Sequence, residues 1–328
     1  MKLLIVVHHR LPLWNVPAWF ADRLGREFPD LEIVNRDSYN GIETDLRDAE
    51  VIFTISLRPE QLAAAPTLHW IHAPTAAVHQ FLFPELINSD VLLTNSREVH
   101  GPVVAEHVMA LMFALAKKIP KAVSFQQKRV WGQEAMWTEG VHLQELANAT
   151  LGLVGVGSIG RRVAQMASAM GMRVIAVREH VNKGTAPGIE AVFPVVELDK
   201  LLSQSDYVVL AAPLTSATQG LINARALTVM KPSAYLINVG RGPQVDETAL
   251  AEALHERRIA GAALDVFEKE PLPPDSPLWG LDNLLITPHT AGLTDKLWDR
   301  HYDLFSENLR RYLSAQPLQY VVDKHKGY

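Results

Sequence analysis

The 328-residue sequence predicts an α/β protein built from two doubly wound parallel sheets. Short apolar, β-rich runs alternate with helix-like segments over about the first hundred residues, and the alternation restarts at Leu151. The composition, 48% hydrophobic and 20% charged, is sufficient for a large buried core. At this length two domains are favoured over one.

The first stretch predicts a parallel sheet, because helix-like segments such as Ala18–Phe28 separate its apolar runs. The opening run stops at His8, which is too early for a secretory core, so we interpret it as a buried strand and not as a signal peptide. A long apolar helix-like run follows Pro102, ends near Lys117 and suits an interdomain or interface helix. The predicted strands are Leu3–Val7, Val51–Thr54, Leu68–Ile71 and Val91–Thr94.

The second stretch predicts a complete, doubly wound sheet of six strands. Because that sheet is already closed, the last amphipathic helix, about Asp295 to Leu313, is predicted to return to the first domain. One domain would then comprise residues 1–98 with 292–328, and the other residues 99–291. The predicted strands of the second domain are Leu151–Val154, Arg173–Val177, Tyr207–Leu210, Ala234–Asn238, Ala262–Leu264 and Leu284–Thr287.

Composition excludes several classes of function. The chain has no cysteine, so it has no disulfide, no thiolate nucleophile and no cysteine metal site, and this fits a reducing compartment. The formal net charge of -5 supplies no broad basic field, which argues against nucleic acid as a partner. No apolar run reaches membrane-spanning length, so we expect a cytoplasmic protein without a membrane partner.

A glycine motif at the start of the second sheet predicts a dinucleotide site. Gly155-Val156-Gly157-Ser158-Ile159-Gly160 follows an apolar strand and opens a helix. In a G-x-G-x-x-G motif the glycines permit a tight turn, close approach of a pyrophosphate and close packing of helix on strand. Helix N-termini also attract anions. A tight turn in an unrelated α/β unit is the alternative, and the strands that follow argue against it.

Arg178 indicates which dinucleotide this domain would hold. It ends the second strand, where an acidic residue that takes both ribose hydroxyls is usual. A guanidinium offers a planar fork of donors to a 2′-phosphate and no acceptor for hydroxyls, which favours NADP(H). Two alternatives stay open: a solvated arginine, and ribose binding by the adjacent Glu179, which would keep NAD(H) possible.

Arg241 lies among glycines directly after a predicted strand, in Asn238-Val239-Gly240-Arg241-Gly242. This is the carboxyl edge, where open α/β sheets bind ligands. A bidentate guanidinium there suits a carboxylate and would hold the carbonyl of a 2-oxo acid close to a nicotinamide. A salt-bridged surface arginine is the alternative.

His289 and Glu270 are candidates for proton transfer. His289 follows the last predicted strand, and the ordinary pKa of histidine lies close enough to neutrality for proton exchange. Glu270 could hydrogen-bond the imidazole, fix its orientation and favour its protonated form. A structural histidine and an exposed loop acid are the alternatives, but both residues are placed at sheet-edge loops after a dinucleotide motif.

With these residues in place, the chain resembles the D-isomer-specific 2-hydroxyacid dehydrogenases, and most closely their glyoxylate and hydroxypyruvate reductase-like members. The resemblance extends over most of the chain and depends on an ordered set of motifs. They are Thr94-Asn95-Ser96 through Ala105-Glu106-His107, Gly155 to Gly160, Pro213-Leu214-Thr215 with Thr218, Ile237 to Gly242, Leu264 to Glu268, Glu270 to Pro273, and Thr287 to Gly292.

The resemblance implies a Rossmann NAD(P)-binding domain, a flavodoxin-like substrate domain and a homodimer. It implies that Arg241 binds the substrate carboxylate, that His289 is the acid/base and that Glu270 pairs with it. Backbone amides of a loop that includes Ala76 and Ala77 would cover the carboxylate. The implied cofactor contacts are Gly155, Val156, Gly157, Ser158, Ile159, Gly160, Arg178, Ala212, Pro213, Thr218, Val239, Gly240, Asp265 and His289.

The chain departs from the family pattern in the substrate loop and at Arg178. Ala77 replaces a frequent glycine and restricts positive φ, and His79 replaces a frequent aspartate. We therefore expect a metal-independent, NAD(P)-dependent oxidoreductase that prefers NADPH and reduces a small 2-oxo acid, such as glyoxylate or hydroxypyruvate, to the D-2-hydroxy acid. The alternatives are an NAD-preferring D-2-hydroxyacid dehydrogenase and a nucleotide-sensing, corepressor-like binding protein of the same fold.

Overall fold

The computed structural model describes residues 1–138, 140, 142–179, 181 and 186–327. The chain divides into two compact units. Unit 1 comprises residues 1–100 and 294–328, and unit 2 comprises residues 101–293. Each unit is built on its own parallel β-sheet, which confirms the predicted fold class. Among the residues that the structure describes, no helix is both long and apolar enough to cross a membrane.

Unit 1 contains a five-stranded parallel sheet in the order β2-β1-β3-β4-β5. Its strands are β1 (Lys2–Val6), β2 (Glu32–Arg36), β3 (Val51–Thr54), β4 (Trp70–Ala73) and β5 (Leu92–Asn95). Its helices are α1 (Ala18–Glu27), α2 (Glu43–Leu46), α3 (Pro59–Ala63), α4 (Pro84–Ile87) and, from the C-terminal part of the chain, α12 (Leu297–Leu313). The strand β2 was missed from sequence, because this edge strand is polar and only partly buried.

Two apolar clusters cover the faces of this sheet. One of them joins strands β1, β3 and β4 to α1 and α12, and its large members include Phe20, Phe53, Trp70, Tyr302 and Phe305. Because α12 supplies part of this cluster, the last helix belongs to the core of unit 1.

A chain of buried polar groups crosses the same unit. Trp70 Nε1 donates to Thr94 Oγ1 at 2.8 Å, and this hydroxyl lies 2.8 Å from His72 Nδ1. Ser96 Oγ lies 3.1 Å from His72 Nε2 and 3.0 Å from His301 Nδ1. Since Trp70 can only donate, Thr94 Oγ1 accepts from it, and the hydroxyl keeps its hydrogen and a second lone pair for the contact with His72 Nδ1. Burial lowers the pKa of both His72 and His301, so both rings are neutral at pH 7.

Acid is expected to destabilise unit 1 through His72. Burial lowers the pKa of His72 from 6.5 to about 3, so the unfolded chain takes up the proton first as the pH falls. The contribution of the neutral His72 ring to the free energy of unfolding is complete above pH 6.5 and is lost between pH 6.5 and about 3. About 2 kcal/mol of it is lost near pH 5. Between pH 7 and pH 5, we expect the free energy of unfolding, measured with urea, to fall by about 2 kcal/mol less in H72Q than in the wild type. Equal losses in both proteins would contradict this role.

Unit 2 contains a seven-stranded parallel sheet in the order β12-β11-β10-β9-β6-β7-β8. Its strands are β6 (Thr150–Val154), β7 (Arg173–Val177), β8 (Ala191–Phe193), β9 (Tyr207–Leu210), β10 (Tyr235–Asn238), β11 (Gly261–Leu264) and β12 (Leu284–Ile286). Its helices are α5 (Gly101–Ala116), α6 (Ile119–Lys128), α7 (Gln133–Thr138), α8 (Ser158–Ala169), α9 (Leu198–Gln204), α10 (Ala224–Val229) and α11 (Glu247–His255).

The six strands predicted for this sheet are present, and β8 is a seventh that sequence analysis missed. It has only three residues, all half-buried, and pairs with β7 at the edge of the sheet. A strand so short carries little periodic signal. Two apolar clusters cover the two faces of the sheet, and one of them contains most of the buried face of α5.

Candidate active site

The carboxyl edge of the seven-stranded sheet collects most of the predicted site residues. Since all seven strands are parallel, residues that follow them lie along one edge. The glycine motif follows β6, Arg178 follows β7, and Ala212 follows β9. Arg241, Asp265 and His289 follow β10, β11 and β12 in turn.

The glycine motif adopts the turn that a dinucleotide site requires. Gly155 has a φ of +97°, and a Cβ there would lie 2.8 Å from Ala212 Cα, so only glycine fits. Gly157 precedes the first turn of α8, and a Cβ there would meet no protein atom within 4 Å. The absence of a side chain therefore leaves space beside the N-terminus of a 12-residue helix. This cradle fits the pyrophosphate of a dinucleotide.

His289 and Glu270 form a close pair. His289 Nδ1 lies 2.6 Å from Glu270 Oε2, and Glu270 Oε1 accepts the backbone N–H of Phe267 at 3.1 Å. A carboxylate only accepts, so Nδ1 carries a hydrogen and the ring orientation is fixed. The His289 side chain is 51% exposed, and that of Glu270 is 35% exposed. The structure thus brings these two predicted residues together.

Asp265 holds the loop that presents His289. Its carboxylate accepts the Thr287 hydroxyl at 2.6 Å and the backbone N–H groups of Thr290 and Ala291 at 2.9 and 3.0 Å. Its carbonyl oxygen also accepts the backbone N–H of His289 at 2.9 Å. His289 has a φ of +53°, a left-handed conformation that is unfavourable for a residue with a side chain. The bonds to the nearly inaccessible Asp265 offset this cost.

His107 on α5 is the outer member of the same network. Its Nε2 lies 3.1 Å from Thr287 Oγ1 and 3.6 Å from Asp265 Oδ1. The Thr287 hydrogen is already donated to Asp265, so His107 donates to Thr287. Burial lowers the pKa of His107, and the nearby Asp265 carboxylate partly opposes that shift. Sequence analysis missed this network. The sequence feature that could have indicated it is that two polar residues, Asp265 and Thr287, directly follow neighbouring strands.

Arg241 is anchored through its backbone. Its N–H donates to Gln244 Oε1 at 2.9 Å, and its carbonyl accepts from Asn238 Nδ2 at 3.0 Å. Its guanidinium Nη1 donates to the Gly240 carbonyl at 2.7 Å. Burial lowers the pKa of Arg241, and Glu270 opposes that shift, yet an arginine stays charged at neutral pH. A cation is therefore held near the His289–Glu270 pair.

The loop predicted to cover a carboxylate follows β4 in unit 1. Its carbonyl oxygens are occupied: Asn95 Nδ2 donates to that of Ala76 at 2.7 Å, and Thr75 Oγ1 donates to that of Ala77 at 2.6 Å. The backbone N–H of Ser96 donates to the Thr75 carbonyl at 2.9 Å. Residues at the end of β5 thus determine the shape of this loop, and Ala77 has no positive φ.

Fold and site together define a dinucleotide-dependent oxidoreductase: a glycine turn at a helix N-terminus, and a histidine–carboxylate pair with an arginine at the same sheet edge. The model of the D-isomer specific 2-hydroxyacid dehydrogenase NAD-binding domain matches residues 109–291. The chain belongs to the D-isomer-specific 2-hydroxyacid dehydrogenase family, whose members are NAD(P)-dependent oxidoreductases.

Relatives and solved structures agree with this family. A glyoxylate reductase of Thermofilum pendens is 35% identical over 297 residues, which are 89% of this chain and 83% of the relative. An NADPH-dependent glyoxylate/hydroxypyruvate reductase of Sinorhizobium meliloti, solved with NADP and sulfate, is 26% identical with a TM-score of 0.82 and matches the full length of both chains. A D-lactate dehydrogenase of Aquifex aeolicus, solved with NAD and lactic acid, is 26% identical with a TM-score of 0.73, over 95% of this chain and 96% of that one.

Proposed function

We propose that this protein uses NADPH to reduce a small 2-oxo acid, of the size of glyoxylate or hydroxypyruvate, to the D-2-hydroxy acid. The observation that carries the proposal is the 2.6 Å pair of His289 and Glu270 at the same sheet edge as Arg241 and the glycine turn. This set supplies a proton donor, a carboxylate anchor and a nucleotide cradle. Reduction of 2-oxo acids is also the activity named for the glyoxylate reductase relatives.

Arg241 binds the carboxylate of the 2-oxo acid through its guanidinium fork and holds the keto group in place. The nicotinamide, when bound, supplies a hydride for the keto carbon. His289 gives the proton on Nε2 to the keto oxygen, because its Nδ1 is bonded to Glu270. One hydride and one proton convert C=O to CH–OH, and Glu270 stabilises the imidazolium from which the proton leaves.

The nucleotide lies along the carboxyl edge of the unit 2 sheet in this proposal. The backbone of Val156, Ser158 and Ile159 binds the pyrophosphate at the N-terminus of α8, where N–H groups and the helix dipole favour an anion. Further proposed contacts follow strands β9, β10 and β11 at the same sheet edge. Among them, Thr218 Oγ1 donates to the Pro213 carbonyl at 2.8 Å and so holds Pro213 in place. These contacts are Ala212, Pro213, Thr218, Val239, Gly240 and Asp265.

The preference for NADPH rests on Arg178. This residue follows β7 directly, and its backbone N–H donates to the Phe193 carbonyl of the added edge strand β8 at 3.1 Å. Its backbone is therefore fixed at the strand end, where the adenosine ribose binds in this fold. Glu179, the next residue, is exposed and is the observation that favours the second candidate, an NAD-preferring dehydrogenase.

Cofactor kinetics test this assignment. We expect R178A to lower kcat/KM for NADPH by 10- to 100-fold, on the order of two charge-assisted hydrogen bonds, while kcat/KM for NADH changes less than about threefold. R173A is the matched control. Arg173 begins β7, at the end of the strand opposite Arg178, and pairs there with Glu190. Equal efficiency of the wild type with NADH and NADPH would remove Arg178 from cofactor recognition. NADPH binding without turnover of any 2-oxo acid would favour the corepressor-like alternative.

We also propose a cytoplasmic homodimer. The helix α5, which sequence analysis favoured as the interface, is largely buried within unit 2, so we place the interface on the segment that follows it. On that segment Trp131 is 88% exposed and Trp137 is 59% exposed, and Ile119, Val123 and Val130 are also exposed. Exposed apolar surface of this extent is typical of a protein interface. Sedimentation should show a dimer, and W131S with W137S should shift it towards monomer; a monomeric wild type would contradict the proposal.

A further inference from the structure

Gln244 is a fully buried polar side chain, with 0% exposure, next to the predicted substrate arginine. It lies just after β10, three residues beyond Arg241, in a short turn of 3-10 helix at Gly242–Gln244. Apolar residues are the usual occupants of fully buried positions, and a buried carboxamide must have hydrogen-bond partners. Its partners therefore indicate what it is for.

The carboxamide connects two segments of unit 2. Its Oε1 accepts the backbone N–H of Arg241 at 2.9 Å. Its Nε2 lies 3.3 Å from the carbonyl oxygens of both Ala212 and Pro213, to which it donates. One end of the side chain thus holds the arginine, and the other end holds the segment that follows β9.

These partners belong to the two halves of the proposed site. The inference rests on the proposed function, in which Arg241 binds the substrate carboxylate and Ala212 and Pro213 line the nucleotide cleft. We propose that Gln244 is a positioning residue that couples the two halves: nucleotide bound against Ala212 and Pro213 fixes the Gln244 carboxamide and so sets Arg241 for the substrate. Substrate would therefore bind more tightly after the nucleotide than before it.

Gly240 provides independent support for the bridge. A Cβ at position 240 would lie 2.2 Å from Gln244 Oε1 and 3.2 Å from the Ala212 carbonyl oxygen. The carboxamide therefore occupies the space that a side chain at 240 would take. Glycine at 240 is required for the bridge to form, although its φ lies outside the left-handed region.

Two variants break the bridge in different ways. Q244M keeps the length and volume of the side chain but removes its donor and acceptor. G240A keeps Gln244 and displaces its carboxamide. Q204M is the matched control, because the Gln204 carboxamide also both accepts and donates a hydrogen bond, at the C-terminal end of α9 and away from the proposed nucleotide contacts.

Oxalate is the probe for the substrate carboxylate site, and calorimetry measures its Kd with and without saturating NADPH. In the wild type and Q204M we expect NADPH to tighten oxalate binding at least tenfold. In Q244M and G240A we expect this factor to fall to about twofold or less. In Q244M, which changes none of the proposed nucleotide contacts, the Kd of NADPH alone should change less than about threefold. A residue that only stabilised the fold would not change the coupling selectively, and thermal unfolding of each variant reports on the fold.

Several results would overturn the inference: oxalate binding to the wild type that does not depend on NADPH, or wild-type coupling in either Q244M or G240A. Loss of NADPH affinity in Q244M together with unfolding would also overturn it, since Gln244 would then be structural. The proposed function is tested separately by 2-oxo acid reduction in the wild type. An inactive wild type whose oxalate binding still follows the expected pattern would refute the proposed function and support the role of Gln244.

Discussion

H289A is expected to lower kcat for 2-oxo acid reduction by about a thousandfold, since general acid catalysis contributes between 10² and 10⁴. Nε2 of His289 is the proton source in the proposed mechanism, and Glu270 holds the ring by the 2.6 Å bond to Nδ1. Steady-state rates with NADPH and glyoxylate or hydroxypyruvate measure the effect. The Kd of NADPH should change little, because the pyrophosphate cradle follows β6, four strands away from the strand β12 that precedes His289.

H255A is the matched control for this substitution. His255 is exposed and ends α11, so its removal should leave kcat unchanged. The kcat of E270Q should lie between those of H289A and H255A, because the amide keeps an acceptor for Nδ1–H but no longer stabilises a charged ring. Turnover by H289A within about tenfold of the wild type would exclude His289 as the acid and would direct attention to another donor.

R241K is expected to lower kcat/KM for the 2-oxo acid by about a hundredfold, or about 3 kcal/mol of transition-state stabilisation. Lysine keeps the charge but has no planar fork, so the carboxylate loses its bidentate contact and its orientation. The guanidinium bond to the Gly240 carbonyl, at 2.7 Å, is lost as well. Both a higher KM and a lower kcat are expected, because the arginine binds the substrate and positions it.

R257K provides the comparison for arginine replacement. Arg257 is exposed in the same unit, and its Nη2 donates to both carboxylate oxygens of Asp282, so its replacement should leave kcat/KM within about twofold of the wild type. If R241K and R257K have the same small effect, Arg241 does not anchor the substrate. If R241K raises KM for NADPH as strongly as KM for the acid, its role lies with the nucleotide.

The sequence was sufficient to predict the strands that are long, apolar and central, because burial on both faces leaves a continuous hydrophobic run. It was insufficient for β2 and β8, whose residues lie at sheet edges and are half-buried or exposed. The same physical difference separates the site residues. His289, Glu270 and Arg241 stand in loops after clear strands, so their chemistry and position were visible together.

Gln244 and the loop-holding function of Asp265 were not visible in this way. The side chain of Gln244 reaches carbonyls more than thirty residues away, and Asp265 binds groups that follow a neighbouring strand. Such contacts depend on strand order, which the sequence pattern alone does not give. The left-handed backbone of His289 is similar, since positive φ is uncommon even for histidine, which is enriched there, so the residue type alone does not predict it.

The division of unit 1 between the two ends of the chain has a consequence for biosynthesis. On a ribosome, every residue of unit 2 is made before α12, which supplies Tyr302, Phe305 and Leu309 to the face of the first sheet. Until then Phe53 and Trp70 lack that cover. A chain that stops after Leu293 therefore contains all of unit 2, but its N-terminal sheet has an uncovered apolar face. Nascent or truncated chains should bind chaperones through this sheet and not through unit 2.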